Sequence, residues 1–406
     1  MAKVLEGPGM GLLRKWGIST PNYVVVSSNE EFEELSKVND WLQKSKLVVK
    51  AHEALGSRFK LGLVKVGLDL AAAKSAVKEM LGKQLESVTI REVIVSEAID
   101  HKEEYYASVK STREGVDVMV TTYGGVEVEA NWEKVKKLAV EIGESPTDAQ
   151  LATLSKDAGF SGDTATKMAE FLKKLYTCFD NEDAQYLEIN PVVQNQSGDL
   201  VALDAVTLLD GDAKFRHKDW AFPFAAEFGR AYTTNEEEVM AVDAKVKGSV
   251  KLIEIPGGNI AMLPAGGGAS VYYSDAVVAR GGQLANYAEY SGDPPDWAVE
   301  VLTEKVCSLP NIKHIIVGGA IANFTDVKKT FGGIINAFRK AKGEGKLKGV
   351  KIWVRRGGPN ELQGLAAMRA LQDEGFDIHV FDRTTPLTDI VDMAMAAKYT
   401  ILNSRN

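Results

Sequence analysis

The chain has 406 residues, 45% of them hydrophobic and 26% charged, with a formal net charge of −8 at pH 7. Such a balance fits a soluble globular protein of two or three domains, and the acidic excess argues against a general nucleic-acid binder, which needs a basic face. Cys178 and Cys307 form neither a metal pattern nor a disulfide framework, no apolar signal core opens the chain, and no run approaches the ~18 uninterrupted apolar residues of a membrane span, so a cytoplasmic setting is expected.

Up to about residue 245 the pattern is mixed. "YVVVSS" and "SKLVVKAH" read as strands flanking the acidic helix "NEEFEELSKVNDWLQK"; "KLGLVKVGL" is a further strand. "DLAAAKSAVKEMLGK" carries apolar residues at helical spacing and a glycine near its end. A run of strands follows, with "ASVKSTREGVDVMV" expected to be a hairpin turning at "REG". Helices are expected from Trp132 to Asp180, and "AQYLEINPVVQNQSGDLVALDAVTLLD" reads as two apolar strands joined by a polar turn. Strands and helices arriving in blocks predict an α+β domain over residues 1–245.

From residue 246 strands and helices alternate. The candidate strands are "VKLIEI", "NIAMLP", "QLANYAEY", "HIIVGGA", "VKIWVRR" and "DIHVFD", with helix-length segments between most of them. Short apolar strands with long connections predict a doubly wound parallel α/β sheet over 246–406. Ligands bind such sheets where strands end and helices begin. Those places are "AGGGAS", "YSGDP", "GGAIANFTD" and "VRRGGPNE", all rich in Gly, Ser, Thr, Asn or Arg.

The individual motifs carry different chemistry. Gly266, Gly267 and Gly268 precede a helix but lack the spacing of a dinucleotide fingerprint, which leaves a tight turn or an anion at the helix N-terminus. Arg355 and Arg356 end a strand; alternation sends them to opposite faces, so one suits a carboxylate and the other a neighbouring structural partner. Asn323 and Thr325 offer an amide and a hydroxyl to a polyfunctional acid, although Thr325 or Asp326 also suits a helix cap. In the first half, Glu188 and Asn190 share a strand face and Asp204 returns on the adjacent strand, a hard-oxygen set suited to Mg²⁺ or simply to the surface. Lys50 can touch a phosphate or snorkel. Glu97 and Glu104 flank a segment that reads as a hinge, and the histidines His52, His101, His217, His314 and His379 show no metal spacing and read as structural or surface residues.

Taken together, "LVVKAHEALGSRFKLGLV", "YLEINPVV", "AGGGASVYYSDAV", "LANYAEYSGDP", "GGAIANFTDV" and "VRRGGPNE" stand in the order found in the ATP-citrate lyase family and cover most of the chain. The chain resembles the nucleotide-binding half of that family in its two-subunit form, and more distantly the β-subunit of succinyl-CoA synthetase. The resemblance implies an ATP-grasp fold, with a small subdomain at about 20–105, followed by a flavodoxin-like domain. It implies ATP binding by Lys50, Arg58, Glu97, Ala98, Ile99 and Glu104, with Ala98 standing where the family usually has proline. Mg²⁺ would be held by Asn190 and Asp204, and citrate by Gly292, Asn323, Thr325 and Arg356, with Gly266, Gly267 and Gly268 serving citrate or an incoming phosphoryl group. The chain departs from the family at Ala341, where animal-type members carry a tyrosine that helps hold citrate.

No catalytic side chain of this chain is implied. The phosphorylated histidine and the CoA site would lie on a partner subunit, which in a lyase adds a citrate-synthase-like domain that cleaves citryl-CoA to acetyl-CoA and oxaloacetate; a hetero-oligomer follows. Citryl-CoA synthetase differs in that partner, and a succinyl-CoA synthetase β-subunit would need fewer groups than the Asn323/Thr325/Arg356 set. A non-catalytic sensor need not keep metal ligands, and the glycine spacing disfavours an oxidoreductase.

Overall fold

The computed structural model describes residues 2–56, 58–85, 88–225 and 232–403, with side chains to residue 396. The chain divides into two compact units, Met1–Ala231 and Tyr232–Asn406. The division falls before the helix Thr234–Asp243, rather than after it at the expected 245/246. Hydrogen bonding accounts for the difference: Asp243 Oδ1 accepts from Val250 N at 2.8 Å and Glu236 Oε1 from Glu254 N at 2.7 Å, tying the helix to the first strand of the second unit.

The first unit is α+β and holds two main antiparallel sheets besides the short pair Gln84–Leu85 and Val88–Thr89. The smaller has the order Tyr23–Val26, Val93–Glu97, Leu47–Ala51, Val64–Leu68, covered by the helices Asn29–Val38 and Leu70–Met80. Ser28 and Asp69 cap these helices by accepting from Glu31 N and Ala72 N, which satisfies backbone donors that the helices leave open. The larger sheet is centred on Ala184–Gln194, flanked by Glu104–Ser111 and, on the other side, by Leu200–Ala202 and Val206–Leu209. Glu104–Ser111 and Gly115–Thr121 form the expected hairpin. The helices Asp148–Asp157 and Gly162–Asn181 bury Leu151, Met168, Leu172 and Leu175 against this sheet.

The expected helical stretch from Trp132 is corrected at its start. Lys136–Glu141 is an edge strand paired with Gly115–Thr121. "KVKKLAVE" has apolar residues at spacings compatible with either structure, and pairing to an available edge decides between them.

Glu182, at the end of the helix Gly162–Asn181, is fully buried. Its carboxylate accepts from Lys15 Nζ (2.6 Å), Trp16 Nε1 (2.7 Å) and Trp220 Nε1 (2.8 Å). Glu182→Ala strands the two indole N–H groups, while Lys15 keeps Asp219, and is expected to destabilise the protein by about 3 kcal/mol. Urea unfolding followed by tryptophan fluorescence measures this; a loss below about 1 kcal/mol would show that the cluster does not hold the fold together.

In the second unit, Ile260–Met262, His314–Val317, Lys351–Arg355 and Asp377–Phe381 form a parallel sheet in that order. Parallel bridges from Ile260 to Leu284 and from Ala265 to Tyr290 set Asn286–Ser291 outside Ile260–Met262. The parallel strands therefore run 2-1-3-4-5, the flavodoxin-like order. Helices Asp296–Cys307, Val327–Gly343 and Glu361–Ala370 pack on one face, and Gly267–Ala279 and Asp389–Asn403 on the other. One expected member of the parallel sheet is corrected: Ser249–Glu254 pairs antiparallel with Asn286–Ser291. Only Val250 and Leu252 of this strand are buried, the alternation of an edge strand with one covered face, and its direction is set by tertiary pairing.

No helix among the described residues is long and apolar enough to cross a membrane.

Candidate functional site

In the first unit, Lys50, Arg58 and Asp204 come together, and with them Glu6, which sequence reasoning missed. Lys50 Nζ lies 2.5 Å from Glu6 Oε1 and donates to the Leu203 carbonyl at 2.8 Å. Arg58 grips both oxygens of Asp204 through Nη2 at 3.0 and 2.9 Å, and its Nη1 donates to the Ala51 carbonyl at 3.0 Å. Glu6 Oε2 lies 2.6 Å from Arg58 Nη1, as an ion pair without a directed hydrogen bond. Burial would raise the Asp204 pKa, but the charges of Arg58 and then Lys50 outweigh it and hold the carboxyl below the usual carboxylate range. Burial likewise opposes the charge on Arg58, and its two carboxylate neighbours more than offset that.

Asn190 and Asp204 share this region through strand register. The pairs Glu188–Val206 and Val192–Ala202 keep one register on either side of the gap, which sets Asn190 across from Asp204. Asn190 Oδ1 accepts from Gly125 N at 2.6 Å and its Nδ2 donates to the Gly125 carbonyl at 3.2 Å. Glu104 closes on the same loop: a Cβ at Gly125 would lie 1.9 Å from Glu104 Oε2, and Gly125 has a φ of +59°. The pair "GG" at Gly124–Gly125 was the overlooked sequence signal here. Glu188 bonds instead to the hydroxyls of Tyr186 and Tyr106.

As a donor set for a divalent cation, Asn190 and Asp204 supply two hard oxygens on adjacent strands. That is what Mg²⁺ takes from protein when phosphates and water complete its shell, so the two residues fit the ion. Among the described residues, no group of three acidic, histidine or cysteine side chains gathers into a protein-only metal cage.

Glu97, Ala98 and Ile99 begin the link between the two sheets. Glu97 accepts from Ser45 Oγ (2.6 Å) and Asn22 Nδ2 (3.0 Å), Ala98 N donates to the Lys46 carbonyl, and the Ile99 carbonyl lies 2.7 Å from His101 Nδ1. A backbone contact at Ala98 N is therefore already taken by Lys46.

In the second unit the candidate residues lie at the carboxyl edge of the sheet. The alternation at Arg355–Arg356 resolves clearly. Arg355 donates to the carbonyls of Thr385 (2.9 Å), Gly319 (2.7 Å) and Arg383 (3.0 Å), which makes it a strut between loops. Arg356, only 4% exposed, donates from Nη1 to the Ala320 carbonyl at 2.5 Å, while its Nε is buried without an acceptor. No carboxylate among the described residues pairs with Arg356. Gly319 makes room for it, since a Cβ there would lie 2.5 Å from Arg356 Nη1.

The neighbouring loop is zipped alongside: Ala322 N donates to the Gly357 carbonyl and Val327 N to the Pro359 carbonyl. The helix cap falls to Asp326, whose side chain accepts from Lys329 N at 3.0 Å. This leaves the Thr325 hydroxyl with no partner among the described residues; Asn323 is exposed on the same loop. The Tyr290 hydroxyl, a group sequence reasoning did not single out, is also buried without a partner. Burial raises its pKa, and it lies close enough to Arg356 for the guanidinium to oppose that rise.

The glycines separate by cause. Gly266 has a φ of +96°. A Cβ at Gly267 would lie 2.5 Å from Glu289 Oε2, and one at Gly292 2.7 Å from Gly248 Cα. At Gly268 a Cβ meets nothing within 4 Å and the backbone is ordinary, so the fold of this chain does not require glycine there. Ala341 is buried in the core along the helix Val327–Gly343, so the position where animal-type members carry tyrosine does not present a side chain to this edge.

Residues 11–220 match the family described as the ATP-citrate synthase ATP-grasp domain, and residues 230–397 the family described as ATP citrate lyase citrate-binding. The chain belongs to the ATP-citrate lyase family. It is 38% identical over 388 residues to ATP-citrate synthase alpha chain protein 1 of Arabidopsis thaliana, a match covering 92% of this chain and 91% of that one. Against human ATP-citrate synthase the identity is 35% over 418 residues, covering 97% of this chain but 38% of the human protein. Among solved structures, ATP citrate lyase from Methanothrix soehngenii in complex with citrate and coenzyme A superposes with a TM-score of 0.86 at 33% identity, covering 97% of this chain and 99% of that one. A second, from Methanosaeta concilii in complex with (3S)-citryl-CoA, gives 0.84 at 32%, covering the same shares. As an ATP-citrate lyase chain, it carries the ATP-grasp and citrate-binding domains of the enzyme.

Proposed function

We propose that this chain binds Mg-ATP through its first unit and citrate through its second, and that a partner subunit with a phosphorylatable histidine and the CoA site completes the reaction. The observation that carries the citrate half is Arg356: a buried guanidinium with an unanswered Nε, no carboxylate partner among the described residues, and the free Thr325 hydroxyl on the adjoining loop. A buried charge of this kind is costly unless a ligand supplies the counter-charge, and a carboxylate matches it in shape as well as sign. Asn323 and Gly292 lie on loops at the same edge. Lys50 and Arg58 contact the phosphates, Glu97–Ile99 the adenine and Glu104 the ribose; Asn190 and Asp204 would hold Mg²⁺, which neutralises charge on the phosphate oxygens.

The chemistry divides into three transfers. The P–O bond to the terminal phosphoryl group breaks, ADP leaves, and a P–N bond forms on the partner's histidine. The phosphoryl group then passes from that nitrogen to a citrate carboxylate oxygen. Finally the CoA thiolate attacks the acyl carbon and expels phosphate to give citryl-CoA. In the lyase the partner cleaves that product to acetyl-CoA and oxaloacetate. The histidines of this chain are committed elsewhere: His52 lies between Gly7 N and Glu92, His101 between Ile99 and Glu104, and His217 binds Asp183 while stacked on Trp220. His314 accepts from Trp353, and His379 pairs with Asp377.

Calorimetry on the purified chain with citrate, Mg-ATP and NADH tests this reading. Heat of binding is expected for citrate and Mg-ATP; a response to NADH alone would sink it. Gly268 refines it. Gly268→Ala is expected to change the stability of the isolated chain by less than about 0.5 kcal/mol. The same substitution should impair turnover of the assembled enzyme, because a methyl group then meets citrate or the incoming histidine loop. Full activity would free Gly268 from any role at the site.

A further inference from the structure

Glu6 has no part in the assignments above, yet it is among the most buried charges of the first unit, at 5% exposure. It opens the helix Glu6–Lys15 and touches both cations assigned to phosphate, with Oε1 2.5 Å from Lys50 Nζ and Oε2 2.6 Å from Arg58 Nη1. Asp204 takes the other side of Arg58 at 2.9 Å. Lys3, which donates to the Ala54 carbonyl at 2.8 Å, lies near enough to feel Arg58; burial and then Arg58 lower its pKa. Glu6 and Asp204 thus face Lys50 and Arg58, and both cations expected to meet phosphate are already neutralised.

We propose that Glu6 makes this site selective for metal-bound over metal-free nucleotide. The inference rests on Lys50 and Arg58 being the phosphate contacts. A metal-free triphosphate brings its full negative charge against Glu6 and Asp204, and like charges forced together away from water repel strongly. A divalent cation removes part of the incoming charge and so reduces the repulsion on both carboxylates as the phosphates take over Lys50 and Arg58. Asp204 can escape part of the repulsion because a quarter of its side chain reaches solvent; the Glu6 side chain, at 3%, cannot. Glu6 is thus a specificity-determining residue that never needs to touch the metal.

The test is equilibrium binding of ATP to the full chain, once in EDTA and once in Mg²⁺, for the wild type, Glu6→Gln, Glu6→Asp and Lys50→Gln. Glu6→Gln keeps the size and one hydrogen-bond partner for Lys50 but drops the charge. It is expected to tighten metal-free ATP on the order of tenfold while Mg-ATP changes by less than about threefold. Glu6→Asp keeps the charge and should keep the wild-type preference. If Glu6→Gln weakens both forms alike, Glu6 is only a structural brace and the inference is wrong, while the nucleotide site stands. If Lys50→Gln alters neither form, the nucleotide site itself is misplaced. Should Glu6→Gln fail to fold, the double variant Glu6→Gln/Lys50→Gln removes the pair together; against Lys50→Gln alone it must show the same gain for metal-free ATP, and no gain overturns the proposal.

Discussion

Arg356→Ala is expected to weaken citrate binding by about 2–4 kcal/mol, the scale for depriving a buried carboxylate of its charged, hydrogen-bonded partner. Arg356 is held only lightly by the chain's own groups. One of its nitrogens is satisfied by the Ala320 carbonyl and its buried Nε is not. Removing the side chain therefore costs the fold little and the ligand much. Arg355→Ala makes the opposite expectation, because three carbonyls from Gly319, Arg383 and Thr385 lose their donor. That variant should lose thermal stability first. Titration calorimetry with citrate, read beside a melting curve for each variant, separates the two arginines. Unchanged citrate affinity in Arg356→Ala would refute its assignment.

Asp204→Asn is expected to lower ATP-dependent phosphorylation of the partner's histidine on the order of a hundredfold or more, the range for removing one electrostatic element from a phosphoryl-transfer site. Citrate affinity should stay within about twofold of wild type, because the residues proposed to hold citrate belong to the second unit. Two physical effects act together in the variant. The hard anionic oxygen opposite Asn190 is replaced by a neutral one, and Arg58 keeps only Glu6 as a charged partner. Radiolabel transfer from ATP to the partner chain gives the readout, and full labelling would remove Asp204 from the metal site.

The carboxyl edge of the parallel sheet was legible in the sequence because each apolar strand there ends in a loop too rich in glycine and polar groups for ordinary packing. Alternation also showed that Arg355 and Arg356 must diverge. Which one serves the ligand was not legible: the carbonyls that capture Arg355 come from residues 319, 383 and 385, and only the folded chain brings them near. Glu6 was hidden for the same reason. "LEGPG" reads as a loose beginning, and the lysine that pairs with its carboxylate lies 44 residues away. The direction of Ser249–Glu254 and the edge strand Lys136–Glu141 depend on which neighbour offers a free edge, and no local pattern encodes that. The three glycines were legible as a group but not individually. Backbone conformation explains Gly266 and the proximity of Glu289 explains Gly267, so Gly268 is the one that this chain's own fold does not require.

The most direct test of the central claim uses this chain together with its partner subunit. The partner's histidine is first labelled from ATP, free nucleotide is removed, and citrate or succinate is added without CoA. Rapid loss of label from the protein with citrate, and little with succinate, is the expected result, with wild-type chain required and Arg356→Ala slow. Label that is retained in citrate, or discharged equally by succinate, would contradict the proposal that this chain presents citrate to the phosphorylated histidine.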